Sequence, residues 1–287
     1  MRLCHSVWTK PIIDSGLGFQ SKIESNLWLF SLSIAYAKLL DATIVLHTDS
    51  LGAKLFGYLP YDEIYLTLDN LETPSCFWAA GKIHAQSLEP LGSIHLDGDV
   101  FLKKKGLLDI LNFENYDVLI QNTESNNQIY DPLLVKFKEV LLSHTLPEEL
   151  NFNSQLAFNC GIIGFNNKLI KEKYVDGYQN LVNVCILDES FMKFLSTNKS
   201  FIPDLILEQW WLKCITNYYP CNVKALLPNL STLQEDAIKI GFTHLLGKKK
   251  YDLIDKVKER LLEVNPEIYE NTKNKMSNLK DFEITNI

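Results

Sequence analysis

The sequence has no apolar run long enough to cross a bilayer. Its longest, Leu27–Ala37, is about half the required length and contains Ser31 and Ser33. No secretory leader is evident, because the first residues run directly into a strand-like segment, Leu3–Trp8. A soluble, cytoplasmic chain is expected. Positive charge is not in excess either: 28 Lys and Arg against 35 Asp and Glu give a net charge of −7. A nucleic-acid binder needs a basic face, so that class is disfavoured, whereas a diphosphate needs only a few local cations. The six cysteines (4, 76, 160, 185, 214, 221) contain no CxxC pair, so a zinc site is not expected. Several sit in apolar runs, which favours buried free thiols over disulfides. There is no internal repeat and no evident linker. With 46% hydrophobic residues in 287, the chain can bury the core of one large α/β domain, expected over 1–270. A polar, lysine- and asparagine-rich tail, 271–287, is expected to be loosely ordered.

Short β-type runs alternate with longer helical patterns, which predicts a mostly parallel central sheet with helices on both faces. Strands are expected at Leu3–Trp8, Thr43–His47, Ile64–Leu68, Ser93–Leu96, Asp117–Gln121, Leu156–Phe165 and Val223–Leu227. Helical periodicity covers 23–40, Phe77–Ser87 and 252–264, and Pro203-Asp204 is a start signal for a helix through Cys214.

The segment Gly92-Ser-Ile-His-Leu-Asp-Gly-Asp-Val-Phe-Leu102 delivers Asp97 and Asp99 at the carboxyl end of a buried strand. Ligands bind at that edge of open α/β sheets. Carboxylates two residues apart on an extended segment share a face, so both can point at one hard cation such as Mg²⁺ or Mn²⁺. Gly98 between them would let backbone and ligand approach closely. The bland alternative is a strand-ending turn with both carboxylates solvated. In Phe158-Asn159-Cys160-Gly161, an amide and a permissive glycine interrupt an apolar strand, either as ligand-facing groups or as a bulge. His244-Leu-Leu-Gly247-Lys-Lys-Lys250 combines an imidazole suited to Mn²⁺, a glycine whose backbone can approach phosphate, and lysine point charges. Read alone, Lys248–Lys250 could be a solvated turn.

The order and spacing of these three segments resemble the glycogenin-like and bacterial lipopolysaccharide galactosyltransferase family, retaining glycosyltransferases of the GT-A type. The resemblance implies a Rossmann-like nucleotide-diphospho-sugar transferase fold. It implies Asp97, Asp99 and His244 as metal ligands for Mn²⁺ or Mg²⁺, and Gly247 and Lys250 on the diphosphate. Lys82, in Trp78-Ala-Ala-Gly-Lys82, resembles a lysine that contacts the nucleotide-sugar. Glu208-Gln209 resembles an Asp-Gln pair near the transferred sugar, and Asn159 would help to orient that sugar. Ser6, Trp8 and Asp49 are candidates for the base and ribose by their position at strand ends, although Trp8 and Trp78 could equally be packing residues. Other segments (VWTKP, HTD, FWAAGKI, HLDGDVF) resemble bacterial transferase-like proteins grouped as a domain of unknown function. Departures exist: Lys250-Tyr251-Asp252 replaces the family's Lys-Pro-Trp, and Glu208 stands for Asp.

The resemblance implies transfer of a sugar from a nucleotide-diphosphate donor, by analogy a UDP-sugar, to a glycan, lipid-linked glycan or protein acceptor, with retention. Two alternatives are an inactive scaffold of the same fold and a nucleotidyltransferase. The second should carry a glycine-rich phosphate loop after its first strand. Ser15-Gly-Leu-Gly-Phe19 is too short and lacks the following basic residue.

Overall fold

Short apolar runs form strands here because helices cover both of their faces. In the computed structural model, residues 1–14, 19–104, 107–125, 127–141, 147–151, 156–198 and 201–279 are described. Strands β1 (Arg2–Val7), β2 (Thr43–Thr48), β3 (Glu63–Leu66), β4 (Ile94–Leu96) and β5 (Val100–Leu102) come first. They are followed by β6 (Val118–Glu124), β7 (Ala157–Phe165), β8 (Val223–Leu227) and β9 (Phe242–His244). One sheet runs in the order β3-β2-β1-β4-β7-β6-β8, and only β7 is antiparallel to its neighbours. β5 and β9 pair separately, antiparallel.

Side chains alternate across this sheet into two cores. Leu3, Leu46, Ile94, Leu96 and Ile162 pack on one side with the helices Phe19–Ala37 and Ile254–Val264. On the other, Val118, Ile120, Phe158 and Ile163 pack with the helices Ala80–Leu88, Lys168–Leu187 and Trp211–Tyr218. Every residue of β7 is buried, which accounts for its nearly unbroken apolar sequence. The chain is thus α/β with a mostly parallel sheet between helical layers, as its sequence predicts. All six cysteines are free, four of them buried. Among the described residues no helix is long and apolar enough to cross a membrane.

Two expectations change. The helix expected from Pro203-Asp204 starts as a wide π-helical segment, Leu205–Trp210, and becomes α-helical at Trp211. Asp204 does not cap it. Its carboxylate instead accepts from Ala79 N at 2.8 Å and Tyr178 Oη at 2.9 Å, tying the segment to the helix that carries Lys82. The stretch from Asn271, expected to be loose, is helical within Pro266–Leu279. Thr272 is fully buried and sits 2.8 Å from Ser31 Oγ, and Ile268 and Leu279 enter the core. A few inward residues suffice to dock a helix whose remaining surface is lysine and asparagine, and average composition does not reveal them. Residues 280–287 and Ser15–Gly18 lie outside the described part.

Candidate active site

β4 ends at Leu96, and the chain turns through Asp97-Gly98-Asp99 into β5, with Val100 N donating to Asp97 O at 3.0 Å. Gly98 lines the cleft and also answers to packing. A Cβ there would lie 2.1 Å from the Phe30 ring, which packs on the turn where residue 98 has no side chain. The late segment arrives by a helix stop. Leu233–Ile240 ends at Gly241, whose φ of 80° is the left-handed conformation that glycine adopts without strain. The chain then enters β9, where His244 pairs with Val100, the residue after Asp99. His244 Nε2 consequently lies 3.3 Å from Asp99 Oδ1.

Gly161 makes room for that imidazole. The β6–β7 register shifts between Ile120 and Asn122, and a Cβ on Gly161 would fall 2.4 Å from His244 Cε1 and 2.7 Å from Gln121 Oε1. Gln121 Oε1 in turn sits 2.7 Å from His244 Nδ1. An amide oxygen can only accept, so Nδ1 carries a proton, and Nε2 is the ring nitrogen that faces the carboxylates. Gly161→Ala is expected to displace the imidazole and weaken Mn²⁺ binding about 10–100-fold, the usual effect of disturbing a ligand's support. Mn²⁺ titration by calorimetry, beside a thermal melt, measures it; unchanged affinity would show that His244 is not held by this contact.

The expected ligand atoms of Asp97, Asp99 and His244 lie within 4.8 Å of one another. Two ammonium groups now flank them: Lys82 Nζ is 2.8 Å from Asp97 Oδ1, and Lys250 Nζ donates to Asp99 Oδ2 at 2.8 Å. Burial pushes the Asp99 carboxyl up, but His244 and Lys250 outweigh it and hold the group well below the usual carboxylate range. Lys82 is buried, and burial alone would lower its pKa. The charges of Asp97 and Glu208 reverse that and raise it, so the ammonium persists. Glu208 lies 2.8 Å from Lys82 Nζ but off the hydrogen-bonding direction, leaving both of its oxygens without an aligned donor. Burial accordingly raises its pKa.

These groups line one cleft of about 500 Å³ at the carboxyl ends of β1 and β4. Ser6, Trp8, Lys82, Asp97, Asp99, Asn159, Gln209, His244, Gly247 and Lys250 reach its wall. Ser6 Oγ is 2.9 Å from His95 Nε2, and Trp8 is both wall and core, packed against Gly81. Two candidates do not reach it. Asp49 caps the helix Ser50–Phe56 by accepting from Gly52 N at 2.6 Å, and its other oxygen accepts from Thr9 N and Oγ1, so both oxygens are engaged. Glu208 is 1% exposed and lies beneath the wall, touching Lys82 rather than the cleft. Sequence reading missed Gln121, which orients His244, and Glu124. Glu124 Oε1 accepts from Asn159 Nδ2 at 2.6 Å, and Tyr130 Oη lies 2.9 Å from its other oxygen and 2.6 Å from Gln209 Oε1, with one proton to give to either. The two amide candidates therefore belong to one network.

The donor set fits a divalent cation: two carboxylates and an imidazole converge from two segments, and the carboxylates are anions that the ammonium groups of Lys82 and Lys250 already contact.

No curated protein sequence matches this chain. Residues 1–275 match the family described as "Family of unknown function (DUF6734)". Among solved structures, mouse xyloside xylosyltransferase 1 in its apo form is 15% identical over 78% of this chain and 84% of its own, with a TM-score of 0.37. The PaToxG glycosyltransferase is 12% identical over 96% and 84%, at 0.36. The galactosyltransferase LgtC, in complex with donor and acceptor sugar analogs, is 10% identical over 95% and 100%, at 0.39. Scores and identities this low say nothing about chemistry.

Proposed function

The chain belongs to the DUF6734 family, a family of unknown function, and for this member we propose cation-dependent transfer of a sugar from a nucleoside-diphosphate donor. The observation that carries the reading is the convergence of Asp97, Asp99 and His244 between two ammonium groups in one cleft. Cleaving a sugar–phosphate bond releases a diphosphate whose negative charge grows in the transition state. A Mn²⁺ or Mg²⁺ ion held by the three residues would neutralise that charge as a Lewis acid.

The protein's own groups do the rest. Lys250, whose Nζ lies 2.8 Å from Asp99 Oδ2, would present its ammonium to the diphosphate. The backbone at Gly247, exposed and at φ 66° with open space around it, can approach the phosphates closely. Lys82 supplies fixed positive potential from beneath, preorganised by Asp97 and Glu208. Asn159 and Gln209, braced through Glu124 and Tyr130, offer amides to the sugar. Trp8 and Ser6 stand at the strand end where the nucleoside would lie. The resemblance selects uridine as the base and retention as the outcome. Free thiols suit a reducing compartment, and we place the reaction in the cytoplasm.

Calorimetry of UDP with the protein is expected to show binding with Mn²⁺ present and none after EDTA. A panel of nucleoside diphosphates tests the base, and the anomeric configuration of the product tests retention. If no nucleoside diphosphate binds, or binding is indifferent to EDTA, the reading fails.

A further inference from the structure

The sheet face beneath the helix Ala80–Leu88 is polar where a strand–helix contact calls for apolar side chains. Cys4 and Ser6 on β1, His47 opposite Ser6 on β2, and His95 opposite Cys4 on β4 share it. Gln86 and Glu89 face them from the helix and its end, and all six are buried or nearly so. Cys4, Gln86, Glu89, Ser93, His95 and Lys171 line a cavity of about 10 Å³ there, and His47 lies beside it on the other side of the Glu89 carboxylate. Among the described residues Gln86, 5% exposed, has no partner for either polar atom, and Ser93 Oγ has none either. Buried amides without partners are rare, so unpartnered atoms around one small cavity point to a missing ligand.

We propose that Cys4, His47 and Glu89 form a second metal site, for a borderline transition ion such as Zn²⁺, with Gln86 Oε1 as the fourth donor at hand. The ligand atoms of the first three lie within 4.8 Å of one another. His47 Nε2 is 2.9 Å from Glu89 Oε1, and its Nδ1 is 3.0 Å from Thr67 Oγ1. A carboxylate oxygen only accepts, so Nε2 donates to Glu89 here; to bind an ion through Nε2 the ring takes its other tautomer, with Nδ1–H donating to Thr67 Oγ1 as the support that metal-bound histidines receive. Arg2 holds the Glu89 carboxylate through contacts of 2.6 and 3.1 Å, fixing it in place. As the Sγ–metal bond forms, the Cys4 thiol proton leaves to solvent, and two anionic ligands balance the ion. A thiolate among the donors favours Zn²⁺ or Co²⁺ over Mg²⁺, unlike the oxygen-rich set of the cleft. Such an ion would join β1, β2 and the end of the helix that carries Lys82. The missing CxxC pair hid it, because its donors come from three elements.

The test uses Co²⁺ as the probe on the whole chain carrying Asp97→Asn, Asp99→Asn, Cys76→Ser and Cys221→Ser, which removes both carboxylate ligands of the cleft and the two half-buried thiols. One equivalent of Co²⁺ is expected, with a sulfur-to-cobalt charge-transfer band that Cys4→Ser abolishes. No bound cobalt, a spectrum without that band, or a band that survives Cys4→Ser overturns the proposal. If Cys4→Ser fails to fold, X-ray absorption of the Zn²⁺-loaded parent decides: it must show one sulfur at about 2.3 Å, and an oxygen–nitrogen shell alone rejects the site.

Discussion

Replacing Asp97 and Asp99 together by Asn is expected to abolish Mn²⁺-supported UDP binding while a cooperative thermal melt remains. Asparagine keeps the volume and an oxygen for the neighbouring ammonium groups, now 2.8 Å away on each side, but removes both charges that would hold a cation. Disturbing a supporting residue typically weakens metal binding 10–100-fold, so losing two ligands should exceed about 100-fold. The pH dependence gives an internal check. In the folded state the Asp99 carboxyl is held low, so the unfolded chain binds the proton more readily. Its stabilising contribution is present above the unfolded pKa, about 3.9, and is lost as pH falls through the folded value. The variant should lack that contribution at neutral pH and respond less to acid. Equal UDP affinity in wild type, variant and EDTA-treated protein would sink the cation reading.

The sheet was legible because its strands are continuous apolar runs: TIVLH and DVLIQ were placed within a few residues of β2 and β6. Two strands of three residues, β5 and β9, escaped notice, since a pattern that short has no period to read. Yet their pairing carries His244 to Asp99. That juxtaposition could be expected only from the order of the motifs, because no local signal joins residues so far apart in sequence. Glycines are legible as positions, but the packing that each one admits is not. Gly98 admits the Phe30 ring and Gly161 admits His244, facts of packing that the letter G does not carry. Asp49 at a strand end looked like a ligand, but an aspartate two residues after His47 is also three before Gly52, the register of an N-cap. The bracing groups Gln121 and Glu124 lie on β6, where a polar residue in a buried strand was the available clue.

Lys82→Met separates structural from electrostatic roles within the same cluster. Methionine can fill the space of the lysine stem, but it leaves Glu208 buried without a counter-charge and the Cys160 carbonyl, now 2.5 Å from Lys82 Nζ, without its donor. Breaking a buried pair from one side costs about 3–5 kcal/mol, and that loss is expected at neutral pH. Glu208 would answer by keeping its proton, raising a folded-state pKa that burial already lifts. The folded state then binds a proton that the unfolded chain releases near pH 4.3, so stability falls as pH rises through the window above that value. Denaturant melts should therefore find the variant nearest to wild type in acid and weakest at alkaline pH. Turnover, or donor hydrolysis where no acceptor is known, should fall about 10²–10³-fold, the usual effect of removing one preorganised donor. The combination Lys82→Met with Glu208→Gln removes the stranded charge. It should recover much of the stability and flatten the pH profile without restoring turnover, because the potential beneath the diphosphate is still missing. If turnover returns along with stability, Lys82 serves only to hold the π-helical segment and the Asp97 turn together, and its electrostatic role is rejected.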